Sequence, residues 1–337
     1  KLFIMFEGLT DKRQQGKVTY DMKVICVTRL FGLLCGITTM NSLTNKFNNK
    51  LTIDTISKIT NTKLDDLPHY DTINDVFDDL DIEELRKIQK YIVYTLIRSK
   101  MFDRFRYKGK FQLLIDGTGL VSFNHKHCDH CLVKKHSDGH LTYEHNVLEA
   151  KLVFDSFVLS IDSEFIENPS PDVINIKKQD CEMNAFKRMA TRLKKNFPKL
   201  KFIITGDTLY ASGPFIKLCL DNKWDYIFRL KSDKLKTVNR DFDGIISIDS
   251  GSTHKNYFVV KDYSYNEHKF NIIRFIEHAK NKDDKIFTFI TSLTVTDNNI
   301  KKLIDMGRRR WKIENNGFNN QKNILFYKSQ YKNAQKW

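Results

Sequence analysis

Three acidic side chains in this sequence sit where acids are costly. Asp116 follows the apolar run Phe111 to Ile115 in Leu-Leu-Ile-Asp-Gly-Thr-Gly, and Asp207 follows Phe202 to Thr205 in Ile-Ile-Thr-Gly-Asp-Thr-Leu-Tyr. A carboxylate at the end of a buried strand is expensive unless something cationic faces it. If the two strands are neighbours in one sheet, their ends meet, and paired carboxylates then need a metal or a shared proton. Glu314 lies one helical turn after Arg310 in Arg-Arg-Arg-Trp-Lys-Ile-Glu-Asn-Asn-Gly-Phe. An acid among that many cations suits a site that takes both phosphate and magnesium. Each acid alone has an ordinary explanation, since Asp-Gly and Gly-Asp are turn signals and Glu314 fits a solvated helix face. The three together are harder to dismiss.

A second set of residues points to different chemistry. Six of the ten histidines and two of the six cysteines fall between His125 and His145. The spacing Cys128-x2-Cys131-x4-His136-x3-His140 is that of a tetrahedral zinc site, with His127, His130 and His145 as spare ligands. Four protein ligands leave no open coordination position, so such a zinc is structural and staples an excursion between two strands. The alternative is a His-rich, solvent-facing loop. Cys26, Cys35, Cys181 and Cys219 lie in apolar helical contexts and are expected in the core.

These residues need a scaffold. The first hundred residues read as helical: Leu85, Ile88, Ile92 and Leu96 fall at helical spacing, with Asp81, Glu83 and Glu84 at the start and Arg98 and Lys100 at the end. Texture changes near Gly109. Strands are expected at 111–115, 147–154 and 157–166, then a helix carrying Phe186, Met189, Ala190, Leu193 and Phe197 that stops at Pro198. A strand at 202–205, a helix from Ser212 and a strand at 226–230 follow. Residues 245–248, 257–260, 270–276 and 286–290 read as a β-rich insertion within 234–293. A final helix is expected from about Asn298 to Asn320, with Ile300, Leu303, Ile304 and Trp311 on its apolar side. Strand-strand-strand-helix-strand-helix-strand is the ribonuclease-H-like order.

Composition agrees with this class. The 337 residues carry 56 Lys and Arg against 41 Asp and Glu, a net charge of +15, with 41% hydrophobic and 29% charged residues. That excludes a membrane bundle and a disordered chain, and favours a polyanionic partner, of which nucleic acid is the commonest. The apolar stretch Val24 to Met40 is broken by Arg29 and reads as a buried helix. Few cysteines and no visible secretory signal point to a reducing cytoplasm.

With these motifs in place, the chain resembles the DDE-type insertion-sequence transposases. The resemblance implies an α/β, ribonuclease-H-like mixed sheet with a β-rich insertion at 234–293, over residues 109–337. An all-helical region at 1–108, for DNA binding or dimerisation, precedes it. It implies Asp116, Asp207 and Glu314 as the catalytic triad, holding two Mg2+ or Mn2+ ions that cleave and join DNA at transposon ends. Arg310-x3-Glu314 matches the centre of the family signature Tyr-x2-Arg-x3-Glu-x6-Lys. The Tyr position is Gly307 and the Lys position Gln321, with Lys322 one residue late. Arg308, Arg309, Arg310 and Lys322 are the expected DNA contacts. The implied setting is a homodimer on double-stranded DNA, associated with the nucleoid and with no membrane. The missing Tyr and apparent truncation leave two other readings: a repurposed DNA-binding copy without catalysis, or a non-transposing nuclease of the same fold.

Overall fold

The computed structural model describes residues 1–37, 39–169, 179–248, 256–278 and 283–319. They divide into two units, one holding residues 1–101 and the other residues 102–318.

The first unit is helical, with α1 (Leu2–Glu7), α2 (Met22–Leu34), α3 (Met40–Ser42), α4 (Lys50–Thr60), α5 (Tyr70–Asp78) and α6 (Ile82–Arg98). Short polar side chains start the helices: Asp21 accepts from the Val24 N–H, Asn49 from that of Thr52 and Asp81 from that of Glu83. Ile25, Leu43, Ile56 and Ile73 anchor its core. The buried face of α6 is not the stripe expected from Leu85 and Ile92, which are exposed; Ile88, Val93 and Ile97 are the buried positions. Cys26 is buried as expected, whereas Cys35 lies at the exposed end of α2.

The second unit is built on one mixed sheet. Its strands are β1 (Phe111–Phe123), β2 (Leu132–Lys135), β3 (Leu141–Val153), β4 (Val158–Ile166), β5 (Phe202–Gly206), β6 (Asp225–Leu230), β7 (Tyr257–Tyr265), β8 (His268–Glu277) and β9 (Lys285–Thr291). The order is β2-β3-β1-β5-β6-β9-β8-β7, and β4 also pairs with β3. β1 runs antiparallel to β3 and parallel to β5, and β5 is parallel to β6, which is the ribonuclease-H-like core. Antiparallel β9, β8 and β7 continue the same sheet beyond β6. The helices are α7 (Glu182–Asn196), α8 (Gly213–Asp221), α9 (Lys236–Ile248) and α10 (Ile300–Arg308). Cys219 on α8 is buried as expected, while Cys181 stands half-buried just before α7.

Three local expectations are corrected. Residues 245–248 end helix α9 rather than forming a strand: Val238 and Phe242 are buried four residues apart, and that helical period outweighs the β-branched run that follows. β1 does not turn at Asp116-Gly117. It continues to Phe123 because β3 pairs with it from Leu113↔Leu152 to Phe123↔Tyr143, with one bulge between Gly119 and Val121. The last helix is not continuous: α10 ends at Arg308, a turn spans Arg309 and Arg310, and Ile313–Phe318 forms a wider π-helical turn. Trp311 is accordingly 48% exposed, and Ile313 takes the core position against Leu114 and Val153.

Candidate active site

Period-two alternation decides which β1 side chains meet which helices. Gln112 donates to the Thr205 hydroxyl and to the Met306 carbonyl on α10, so Gln112, Leu114 and Asp116 share the α10 face. Leu113, Ile115 and Gly117 point to the opposite face. β5 pairs with β1 only as far as Leu114↔Thr205. Two residues further along each strand come Asp116 and Asp207, at the same level on adjacent parallel strands. The two acids therefore meet where β5 ends and β1 goes on with β3 alone.

The third acid arrives from the turn after α10. Arg310 donates to Asp116 Oδ2 at 3.3 Å and to Glu314 Oε1 at 2.6 Å through the same Nη1. Asp207 steadies itself by accepting the Leu209 N–H at 2.8 Å through Oδ1. Asp116 is pushed up to about 7, first by burial; Asp207, Glu182 and Glu314 add to this, and Arg310 opposes it. One guanidinium does not balance so many acids.

Glu182 is a fourth carboxylate, one that no sequence motif marks. It begins α7, accepts the Tyr210 hydroxyl at 2.7 Å, and is raised by burial and by Asp207. It approaches through Gly117, where an added β-carbon would lie 2.6 Å from Glu182 Oε1. A glycine directly after Asp116 is the available signal, and in sequence it reads as a turn. An oxygen-only donor set with unbalanced negative charge fits a hard divalent cation such as magnesium or manganese, with Asp116, Asp207, Glu314 and Glu182 as candidate ligands.

The basic residues separate. Arg310 lies among the acids, whereas Arg308 pairs with Glu277 at 2.8 Å and covers the Phe275 and Phe287 rings. Arg309 approaches Asp155 at 3.9 Å. Lys322 and Gln321 lie outside the described residues. Arg229 on β6 joins the basic set without a motif to announce it; burial lowers it to about 10, as do Arg310 and Arg308 nearby. A cavity of about 220 Å³ lined by Arg104, Arg106, Lys302 and Arg309 adds further positive charge beside Gln112 and Met306. Gly307, where the signature has Tyr, faces the Phe289 ring so closely that a β-carbon would lie 2.6 Å from its Cε1. A tyrosine has no room there.

In the Cys/His loop, Cys128 and Cys131 come together with His145. His136 and His140, expected to complete the zinc set, are not part of that group. They stack on each other at 4.0 Å, His136 bonded to the Thr142 hydroxyl and His140 to Asp138. His127 stacks on Phe123, and His130 bonds the Asn168 carbonyl.

Residues 3–91 match the family described as DDE_Tnp_1-associated, and residues 173–320 match the transposase DDE domain. The two matches together span more than two thirds of the chain, and the second contains Asp207, Arg310 and Glu314. No curated protein matches the chain. Among the described residues, no helix is long and apolar enough to cross a membrane.

Proposed function

The chain belongs to the DDE-type transposase family, and from that premise we propose that it cleaves DNA at transposon ends and joins them to a target by two-metal phosphoryl transfer. The observation that carries this reading is that Asp116 and Glu314 share a single guanidinium, that of Arg310, while Asp207 and Glu182 stand close enough to Asp116 to raise it further. Two magnesium or manganese ions held by these carboxylates would activate the attacking oxygen and stabilise the leaving one in an in-line displacement.

The protein's own groups set the conditions. Asp116 is fixed by ladder bonds on β1, so its carboxylate is the rigid reference of the site. Asp207 commits Oδ1 to its own turn and keeps Oδ2 to offer. Glu182 is oriented by the Tyr210 hydroxyl and Glu314 by Arg310. Arg310 pairs with Asp116 and Glu314 while they are otherwise unmatched, and is placed to take a phosphate oxygen once they are matched. The net charge of +15 supports duplex DNA as the partner. Residues 1–108 serve end recognition or pairing of two copies, and the nucleoid is the compartment this partner implies.

The test is cleavage and strand joining on a duplex carrying the element's own ends, with Mg2+ or Mn2+. Asp116→Ala, Asp207→Ala and Glu314→Ala should each abolish both reactions while leaving DNA affinity broadly intact. Cleavage without joining would assign a nuclease of the same fold. Binding with neither reaction in the unaltered chain would assign a repurposed DNA-binding protein.

A further inference from the structure

We propose that Cys128, Cys131 and His145 form a zinc site separate from the carboxylate centre, and that it staples the β1–β3 ribbon to the approach of helix α7. Two thiols and a ring nitrogen stand as three corners of a tetrahedron. Cys128 Sγ and Cys131 Sγ are 3.7 Å apart, and His145 Nε2 lies 3.4 Å from the first and 3.3 Å from the second. Zinc at about 2.3 Å from sulfur and about 2.0–2.1 Å from nitrogen, with tetrahedral angles, places those atoms about 3.8 Å and about 3.5 Å apart. The match is within a few tenths of an ångström on all three edges.

The chemistry agrees with the geometry. Thiolate and imidazole are the donors zinc favours, in contrast to the oxygen-only set at Asp116. Cys131 is buried, and Cys128 and His145 are half-buried, so the three are partly shielded from solvent. At 3.7 Å the two sulfurs are not bonded to one another, unlike the about 2.05 Å of a disulfide. The fourth corner is left to water or a neighbouring ring.

What the site would hold is specific. His145 sits on β3 opposite Val121 of β1, directly before Asn146, where the pairing of β3 with β4 begins. The cysteine loop is tied in turn to the exit of β4: Asn168 donates its N–H to the His130 carbonyl at 3.1 Å and its side-chain amide to the Cys131 carbonyl at 2.8 Å. Just beyond the loop, Val133 exchanges two hydrogen bonds with the Gln179 side chain, three residues before Glu182. One metal thus fixes the loop against both chain segments that lead into α7.

The experiment is metal analysis of the full-length protein purified without chelators, followed by cobalt substitution. About one zinc per chain is expected, falling below about a tenth in Cys128→Ser, Cys131→Ser and His145→Ala. The His136→Ala/His140→Ala variant should keep its zinc, and so should His145→Cys, which preserves a ligand. Cobalt loaded into the unaltered protein should give the intense visible bands and thiolate charge-transfer absorption of a tetrahedral sulfur-containing site, independent of any variant's folding. Zinc-free protein without those cobalt bands, a Cys128–Cys131 disulfide in its place, or full zinc retention by His145→Ala would overturn the assignment.

Discussion

Gly117 and Glu182 are in direct contact, and a β-carbon at 117 would sit 2.6 Å from Glu182 Oε1, so the carboxylate keeps its present place only while residue 117 has no side chain. The relationship couples the residue after Asp116 to the first residue of α7, 65 positions later in the chain. Gly117→Ala should therefore displace Glu182 without touching Asp116 itself. Because the group that must move is the end of a flexible side chain, the stability cost should fall below the roughly 1–3 kcal/mol of overpacking a rigid core. Misplacing a group by an ångström near reacting atoms costs on the order of a hundredfold in rate. Melting temperature and cleavage rate measured on the same preparation check this, and unchanged cleavage would separate Glu182 from the site.

The burial of Asp116 makes a pH-dependent statement about the metal-free protein. Its carboxyl is near 3.8 when unfolded and raised to about 7 when folded, chiefly by burial. Between those values the folded state holds a proton that the unfolded state has lost, so stability falls as pH rises from about 4 to about 7. Above that range the penalty is complete. Each pH unit between the two values is worth about 1.4 kcal/mol. Asp116→Asn should therefore change stability by less than about 1 kcal/mol at pH 4 and raise it by up to about 4 kcal/mol at pH 8. Adding Mg2+ or Mn2+ at pH 8 should stabilise the unaltered protein and not the variant. Denaturant titrations with chelator present and absent measure both effects.

Gly307 is held by Phe289 in the way Gly117 is held by Glu182. Gly307→Ala brings a methyl to 2.6 Å from Phe289 Cε1, in a core where Phe289 is 2% exposed. A loss of about 1–3 kcal/mol is expected. Phe289→Leu opens space on the same spot, so the double variant should be more stable than the two single losses predict, by about 0.5–3 kcal/mol. Strict additivity in urea unfolding would mean that the two positions do not touch.

The order of strands and helices was legible because apolar runs and helical spacing are local signals. Two apolar runs that each lead into an acid, Asp116 and Asp207, were legible in the same way, and the two strands are parallel neighbours. What was not legible depends on partners far away in sequence. Gly-Thr-Gly after Asp116 reads as a turn until β3 supplies a ladder for it. His136 and His140 have the better spacing from the cysteines, yet antiparallel return of β3 brings His145 to them instead. Glu182 carries no motif, and only the missing side chain at Gly117 marks where it goes. The break at Arg309 and Arg310 interrupts a stretch whose composition is helical throughout, so the helical period puts Trp311 on the apolar side when it is in fact exposed.

Arg308 and Arg310 are two residues apart and engaged differently, which predicts different behaviour on DNA. Arg310 spends its charge on Asp116 and Glu314, while Arg308 pairs with Glu277 at the rim and lies over two phenylalanine rings. In chelator, removing Arg310 should change DNA affinity little, because its guanidinium is already matched by carboxylates. With Ca2+ present to match the acids without turnover, Arg310 is free for a phosphate. Each phosphate contact contributes about 0.9 to the slope of log K against log salt. Arg310→Ala should then flatten that slope by about 0.9 in Ca2+ and by much less in chelator. Arg308→Ala should change the slope by a similar amount in both conditions, since no cation at the acids alters its pairing. Salt titrations of the two variants, with and without Ca2+, distinguish these outcomes. An Arg310 effect of equal size in both would mean that its ion pairs with Asp116 and Glu314 do not hold it back from DNA.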